Sequence, residues 1–283
     1  PVPGTMVAPT AAFIPAMIKG VNIYPDNPLK FDFIIDKGES RLEGKAFEDE
    51  SRRLIKYFLA ALTVPEKEMW VKLSPYEKDR VIPQSFGQTE MGRDLLAQDY
   101  LLKQLTPSLM YPEKELPKKF WDRVYKKAYE KFGTTEIPVN TFNKVWIVPE
   151  RAKVYEHTKG AFVMESRLKV MLDSDYAAQK LDSRSSMLDA RGPSSIQHPE
   201  SSIETEIVRE IILPAIEKEV NEGQTFASLR QIYNSVILAT WYKQALKESL
   251  LGEVYVDKNK TRGINVEDPA INQRIYDQYL DAF

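Results

Sequence analysis

The sequence predicts an α+β fold, in which a small antiparallel sheet packs with several helices. Residues 144–172 contain four short strand-like stretches with turn residues between them, which is typical of an antiparallel meander. Elsewhere, apolar residues recur at three- and four-residue steps, the period of an amphipathic helix. Residues 229–246 are apolar around most of a helix circumference, which predicts a helix buried in the core.

The first twenty residues are rich in proline and predict an N-terminal arm or linker over residues 1–20. A single domain is expected to follow over residues 21–283. Residue 1 is Pro1 rather than a methionine, and the sequence stops at Phe283 within a predicted helix. We therefore expect the chain to be a piece of a longer polypeptide.

The first half of the domain combines two short strands with three helices. The strands are predicted at 30–36 and 69–73, and the helices at 47–62, 89–105 and 118–132. Thr89 is a suitable N-cap for the second helix, and Pro107 should end it, because proline has no N–H to donate. Gly133 follows the third helix at the position where glycine commonly ends a helix.

Residues 144–172 predict the main part of the sheet as a meander of four short strands. These strands are expected at 144–148, 152–156, 161–165 and 168–172. Because turn residues separate them, neighbouring strands should pair in the antiparallel sense. The next segment, 177–202, is rich in Ser, Asp, Arg and Pro and predicts a mobile insertion. It has too little apolar area to offset the entropy lost on ordering.

Two long helices are predicted at 203–222 and 226–251. Pro214 should kink the first of them, because it removes a backbone donor from the helix interior. Trp241 lies midway along the second, more apolar helix and is predicted to be deeply buried. A last helix is expected to begin after Pro269.

The composition excludes several classes of protein. The 283 residues include no Cys and two His, and 39 basic residues nearly balance 41 acidic ones, for a formal net charge of -2. Without Cys, the chain has no disulfide, no Cys-ligated zinc and no thiol nucleophile. No stretch approaches the ~18 apolar residues of a membrane span. The cysteine-free composition permits the cytoplasm, the periplasm or secretion.

The sequence also lacks the common cofactor and metal motifs. Its glycines form no GxGxxG, GK[ST] or GxSxG pattern, so no phosphate-binding loop is predicted. His157 and His198 stand apart from each other and from any metal-binding pattern, and we interpret both as ordinary surface residues. We therefore expect no cofactor and no metal, and the sequence identifies no catalytic residue.

The helix at 118–132 carries one part of a candidate interaction surface. Lys119, Arg123, Lys126 and Lys127 alternate there with aromatic residues, a combination that can bind single-stranded nucleic acid. The favoured interpretation is an amphipathic helix with its lysines opposite an apolar stripe. Since the whole chain is slightly acidic, nucleic acid is a disfavoured partner.

A run of four charges makes the second part of this candidate surface, and it consists of Glu77, Lys78, Asp79 and Arg80. Charged loops next to a strand often hold functional residues. A salt-bridged surface loop is the favoured interpretation here as well.

Carboxylates are numerous on the helix at 203–222. If two of them faced one cleft, they could hydrolyse a glycan, one as the general acid and the other as the general base. Glutamates that follow one another on this helix include Glu204, Glu206, Glu210, Glu217 and Glu219. Because isoleucines hold the apolar face of the helix, we expect these glutamates to lie on its solvated face.

Long blocks of the sequence resemble a bacterial protein family to which no activity is assigned. The blocks are NIYPDNPLKFDFIID, LSPYEKDR, TEMGRDLLAQDYLLKQLTPSLMYPE, PVNTFNKVWIVPERAKVYE, and LRQIYNSVILATWYKQALKESLL with VYVDKNK after it. They cover most of the chain outside 177–202. Members of that family are parts of much longer chains, so the resemblance implies a bacterial domain of a large protein. The resemblance does not identify a cofactor or a catalytic residue.

We expect a non-catalytic binding or structural module of a larger bacterial protein, with a protein or a polysaccharide as its partner. One alternative is a metal-independent hydrolase that uses Asp or Glu, with glycans as a candidate substrate class. Another is a nucleic-acid-binding module that acts through the basic helix at 118–132. A pocket with two facing carboxylates would favour the hydrolase, and salt-dependent retention on heparin would favour nucleic acid.

Overall fold

A four-stranded antiparallel sheet organises the part of the chain that the structure, a computed structural model, describes. That part comprises residues 10–24, 27–63, 89–110, 115–135, 145–157, 159–172, 174–178, 206 and 208–256. The strands are β1 (Met17–Tyr24), β2 (Asn27–Asp36), β3 (Val145–His157) and β4 (Gly160–Leu172). Their order in the sheet is β2-β1-β4-β3. With the helices packed on this sheet, the predicted α+β fold is confirmed.

The strand predicted at 30–36 is confirmed as the greater part of β2, which pairs with β1 through partners such as Val21 and Phe33. Residues 17–20 were assigned above to the N-terminal arm. In the structure they form the first half of β1, and Ile18 is fully buried.

Residues 145–172 pair in the antiparallel sense, as expected, but the prediction of four short strands is wrong. They form the two long strands β3 and β4, with register shifts between Pro149 and Arg151 and between Lys153 and Val154. Residues 149–151, which suggested a turn, therefore lie at a bulge within β3. Because β3 is at the edge of the sheet, Pro149 is tolerated there without the loss of a ladder hydrogen bond.

Five longer helices accompany the sheet in the described ranges. They are α1 (Gly44–Thr63), α2 (Glu90–Met110), α3 (Glu115–Phe132), α4 (Leu213–Glu222) and α5 (Ala227–Val256). Thr89 caps α2 as predicted, since its Oγ1 accepts the N–H of Gly92 at 3.0 Å. Gly133 ends α3 with a φ of 71°, in the left-handed region that favours glycine.

Proline has a different effect on two of these helices from the one predicted. Pro107 was expected to end α2, yet the helix continues to Met110, because a proline in the last turn costs the helix only one backbone hydrogen bond. In place of one kinked helix, a π-helical segment, Val208–Ile212, leads into α4. Pro214 lies in the first turn of α4, where a backbone N–H has no partner within the helix.

The middle of α5 is the central core helix, as its sequence predicts. It packs on α1 and on the sheet, and Leu229, Ile232 and Leu238 are almost completely buried. Phe58 of α1 joins this core through edge-on contacts with Phe31 and Phe33, whose ring centroids lie 5.4 and 5.2 Å away.

The prediction that Trp241 is deeply buried is wrong, because its side chain is only half-buried. Tyr242, one position further, is the aromatic residue of this turn that the core encloses. Successive residues of a helix point about 100° apart, so neighbouring positions cannot both face the same packing partner.

The expectation that the glutamates before Gly223 are solvated is also wrong for two of them. Glu219 is 3% exposed, and its two carboxylate oxygens accept the N–H and the hydroxyl of Thr10 at 2.8 and 2.7 Å. Glu217 accepts the backbone N–H of Val170 and an N–H of Arg167. A charged side chain on this helix therefore does not indicate solvent exposure, because Glu217 and Glu219 bind residues that are distant in the sequence.

Several predicted features lie outside the described residues. These are the strand at 69–73, the last helix after Pro269, and the part of the insertion at 177–202 that begins at residue 179. The first two residues of that insertion, 177 and 178, are described and end a short helical stretch over 174–178. Within the described ranges, no helix has both the length and the apolar character that a membrane crossing requires.

Candidate functional site

The residues that the sequence singled out are not brought together in the described part of the chain. Glu77, Lys78, Asp79 and Arg80 lie outside it. The other four, Lys119, Arg123, Lys126 and Lys127, belong to α3.

The helix α3 has the amphipathic character that was expected. Ala128 is buried and Tyr125 is half-buried, whereas Lys126 and Lys127 are exposed. The Lys126 ammonium lies 3.9 Å from a carboxylate oxygen of Glu130. His157, at the end of β3, is exposed as predicted, and its Nδ1 accepts the N–H of Lys159 at 3.3 Å.

A row of apolar side chains crosses the face of the sheet that points away from α1 and α5. Ile34 of β2 pairs with Gly20 of β1, Gly20 with Phe162 of β4, and Phe162 with Tyr155 of β3. Residues paired across antiparallel strands point to the same face of a sheet, so these four positions form one line over all four strands. The residues next to them on each strand, such as Val21 and Val163, are buried on the opposite face.

Gly20 makes this row continuous. A Cβ atom at this position would lie 3.1 Å from Ile34 Cδ1 and 3.1 Å from Phe162 Cδ2. The side chains of Ile34 and Phe162 therefore approach each other across the space that a larger residue at position 20 would fill.

The row is exposed to an extent that is unusual for large apolar side chains. Tyr155 is 61% exposed and Ile34 is 44% exposed. Met164, which lies in the register shift of β4 beside the row, is 64% exposed. Among the described residues, three of the five exposed large apolar side chains are thus found here. We refer to Ile34, Phe162, Tyr155 and Met164 as the outer apolar patch.

Charged side chains on one side of the outer apolar patch are already paired. Glu165 lies between Arg151, at 2.6 Å, and Lys153, at 3.1 Å. The ammonium of Lys153 and the guanidinium of Arg151 hold the pKa of this carboxyl below its ordinary value. Glu165 is therefore ionised at neutral pH and neutralised by its neighbours.

On the other side of the patch, a tyrosine and its neighbours form a polar cluster. The hydroxyl of Tyr24 donates a hydrogen bond to Asp32, which raises the pKa of Tyr24 above its ordinary value. The ammonium of Lys30 lies 4.5 Å from the centre of the Tyr24 ring. The patch is thus an apolar centre with a polar rim, the arrangement common in protein interfaces.

No protein-family model matches the chain, and neither a curated protein nor a solved structure matches it. What the site can bind is therefore inferred from the residues that form it. Among those the structure describes, no three His, Cys, Asp or Glu side chains are grouped in a way that could hold a metal ion.

Sequence reasoning missed the outer apolar patch, although one signal for it was present. In KFDFIID, Phe31, Phe33 and Ile35 alternate toward the core, and Ile34 is an apolar residue at a position where alternation expects a polar one. The cross-strand pairing of Ile34 with Phe162 and Tyr155 through Gly20 depends on the strand order, which a single sequence does not contain.

Proposed function

We propose that the chain is a non-catalytic binding module of a larger bacterial protein, and that it binds a protein partner through the outer apolar patch. The line of Ile34, Phe162 and Tyr155, together with Met164, carries this proposal, because Phe162 is half-buried and the other three are exposed. Contiguous exposed apolar side chains with a polar rim are typical of interaction sites on soluble proteins. The long sequence blocks resemble a bacterial family whose members are parts of longer chains, and this resemblance supports the part of the proposal that concerns a larger bacterial protein.

A protein is favoured over a polysaccharide because of the aliphatic part of the patch. Glycans and single-stranded nucleic acids stack on flat aromatic rings. Ile34 and Met164 offer no such ring, whereas aromatic residues and Met are enriched where proteins meet. Beside the patch, Glu165 cancels one of the two positive charges of Arg151 and Lys153, which lowers their attraction for a polyanion.

Catalysis at the patch is disfavoured by the state of its carboxylates. A general acid needs a proton near neutral pH, which requires a raised pKa. The pKa of Glu165 is instead lowered by Lys153 and Arg151.

The proposal is tested by affinity purification from an extract of the organism that encodes the chain. The wild-type chain is compared with the double variant Tyr155→Ser/Met164→Ser, and bound proteins are quantified by mass spectrometry. Both residues are more than half exposed, so the double variant should keep the fold and its circular dichroism spectrum. We expect it to lose a protein that the wild type retains.

The matched control is Tyr129→Ser, which removes a 65% exposed tyrosine from α3 rather than from the sheet. It should retain the same protein as the wild type. Equal retention by all three chains would contradict the proposal, and so would the absence of any protein that distinguishes the wild type from the double variant.

A further inference from the structure

A second site lies away from the sheet face, in a cleft of about 490 Å³ between the N-terminal segment and the helices α1 and α5. The N-terminal segment lines it with Phe13 and Pro15, the loop before α1 with Arg41, α1 with Arg53 and α5 with Ser228. This volume is within the range of about 300–1,000 Å³ that small-ligand sites occupy. No residue of the outer apolar patch lines it.

The guanidinium of Arg53 is held in place at this cleft. Its Nη2 donates to Glu50 Oε1 at 2.7 Å, and its central carbon lies 5.8 Å from the centre of the Tyr57 ring. Glu50 is itself fixed, because the same oxygen accepts the side-chain N–H of Gln231 at 2.7 Å. Gln231 is 3% exposed and also donates to the carbonyl of Ala16 at 2.8 Å. The arginine is therefore oriented before any ligand arrives.

Part of the hydrogen-bonding capacity of Arg53 is unused. Among the described residues its Nε has no partner although it is buried, and Nη1 makes no hydrogen bond. The side chain is nonetheless 37% exposed at the cleft. A buried donor without a partner is costly, and an ordered water, an ion or a ligand that accepts a hydrogen bond from it removes that cost. A guanidinium with free donors is best matched by a carboxylate or a phosphate.

The remaining charges of the cleft disfavour a doubly charged anion. Arg41 adds a second cation, but Glu39 and Glu50 line the same cleft and balance both arginines. A doubly charged phosphate would be repelled by these two carboxylates more strongly than a monocarboxylate would. The hydroxyl of Ser228 can donate to a carboxylate, and Phe13 and Leu42 can cover an adjacent apolar group.

We propose that this cleft binds a monocarboxylate with an adjacent apolar group, at the guanidinium of Arg53. A free amino acid and the C-terminus of a peptide both present this chemistry. The site is separate from the outer apolar patch, so either proposal can fail without the other.

The test measures binding to the full chain by calorimetry, with backbone amide chemical shifts as a second readout. N-acetylleucine imitates a peptide C-terminus, leucine represents a free amino acid, and N-acetylleucinamide lacks the carboxylate. We expect N-acetylleucine or leucine to bind at least about tenfold more tightly than N-acetylleucinamide, since the charge-assisted hydrogen bonds are lost with the carboxylate. Which of the two binds more tightly identifies the source of the carboxylate.

Two variants and a control locate the binding. Arg53→Gln should abolish it, and Arg41→Gln, which changes an exposed residue of the loop, should weaken it severalfold even if Arg53→Gln fails to fold. Arg52→Gln removes a neighbouring exposed arginine that does not line the cleft and should leave binding unchanged. The proposal is overturned if no carboxylate binds at millimolar concentration, if the amide binds equally well, if inorganic phosphate binds more tightly, or if Arg52→Gln weakens binding as much as Arg41→Gln.

Discussion

Asn221 of α4 takes the place of a β-strand beside Leu168 of β4. Its side-chain Oδ1 accepts the N–H of Leu168 at 2.9 Å, and its Nδ2 donates to the carbonyl of the same residue at 2.8 Å. Among the described residues, β1 pairs with β4 only at 160–162, so no described strand lies next to this edge of β4 further along. The helix thereby covers a sheet edge that would otherwise leave backbone groups unpaired.

We expect Asn221→Leu to lower the free energy of unfolding by about 2–3 kcal/mol, because it leaves the N–H and the carbonyl of Leu168 without partners. The measurement is urea denaturation followed by circular dichroism. Lys218→Ala on the same helix is the control, and it should change stability by less than about 0.5 kcal/mol because its side chain is 74% exposed. Equal losses in the two variants would show that the helix covers this edge without depending on Asn221.

A second prediction concerns Tyr57, which is fully buried and donates its hydroxyl to Asp94 of α2. Burial and this hydrogen bond raise the pKa of Tyr57 well above its ordinary value. The folded chain therefore keeps a proton that the unfolded chain loses above about pH 10. The contribution of Tyr57 to stability is complete below that pH and declines as the pH rises further.

Tyr57→Phe should cost about 1–2 kcal/mol at neutral pH through the lost hydrogen bond, and it should flatten the alkaline decline in stability. Burial also raises the pKa of Tyr233 to about 12, so Tyr233→Phe should remove a second, smaller part of the decline. Urea denaturation at several values between about pH 8 and pH 11 checks both variants. Identical alkaline slopes in the wild type and in Tyr57→Phe would contradict this account.

A third prediction compares two aromatic residues of the helical core. Phe58 is fully buried among Phe31, Phe33 and Tyr242, whereas Trp241 is half-buried. Phe58→Ala should therefore cost about 3–5 kcal/mol, and Trp241→Ala less than about 3 kcal/mol. Denaturant melts measure the loss in the free energy of unfolding for both variants. A larger loss for Trp241→Ala than for Phe58→Ala would contradict the assignment of Phe58 to the centre of the core.

The parts of the fold that local patterns determine could be predicted. The apolar circumference of residues 229–246 predicts a buried helix, and Thr89 and Gly133 mark the ends of their helices through local hydrogen bonding and backbone geometry. The antiparallel sense of the sheet over residues 145–172 also follows from local alternation and turns.

The parts that depend on distant partners could not be predicted. Glu219 is buried because Thr10 pairs with it across 209 positions of the sequence, and no property of the helix itself indicates that. Pro149 looks like a turn residue until the strand order makes β3 an edge strand. The outer apolar patch has the same origin, since Ile34, Phe162 and Tyr155 become neighbours only through the pairing of four strands.

The central claim is that the outer apolar patch contacts a protein, and site-specific photo-crosslinking tests it most directly. The photoreactive residue p-benzoylphenylalanine replaces Tyr155 in the full chain, and separately Tyr129 on α3 as the control. After irradiation in an extract of the encoding organism, the account predicts a discrete crosslinked protein from position 155 that is absent from position 129. It also predicts that Ile34→Ser and Met164→Ser weaken this crosslink. No crosslink from position 155, or the same one from both positions, would contradict it.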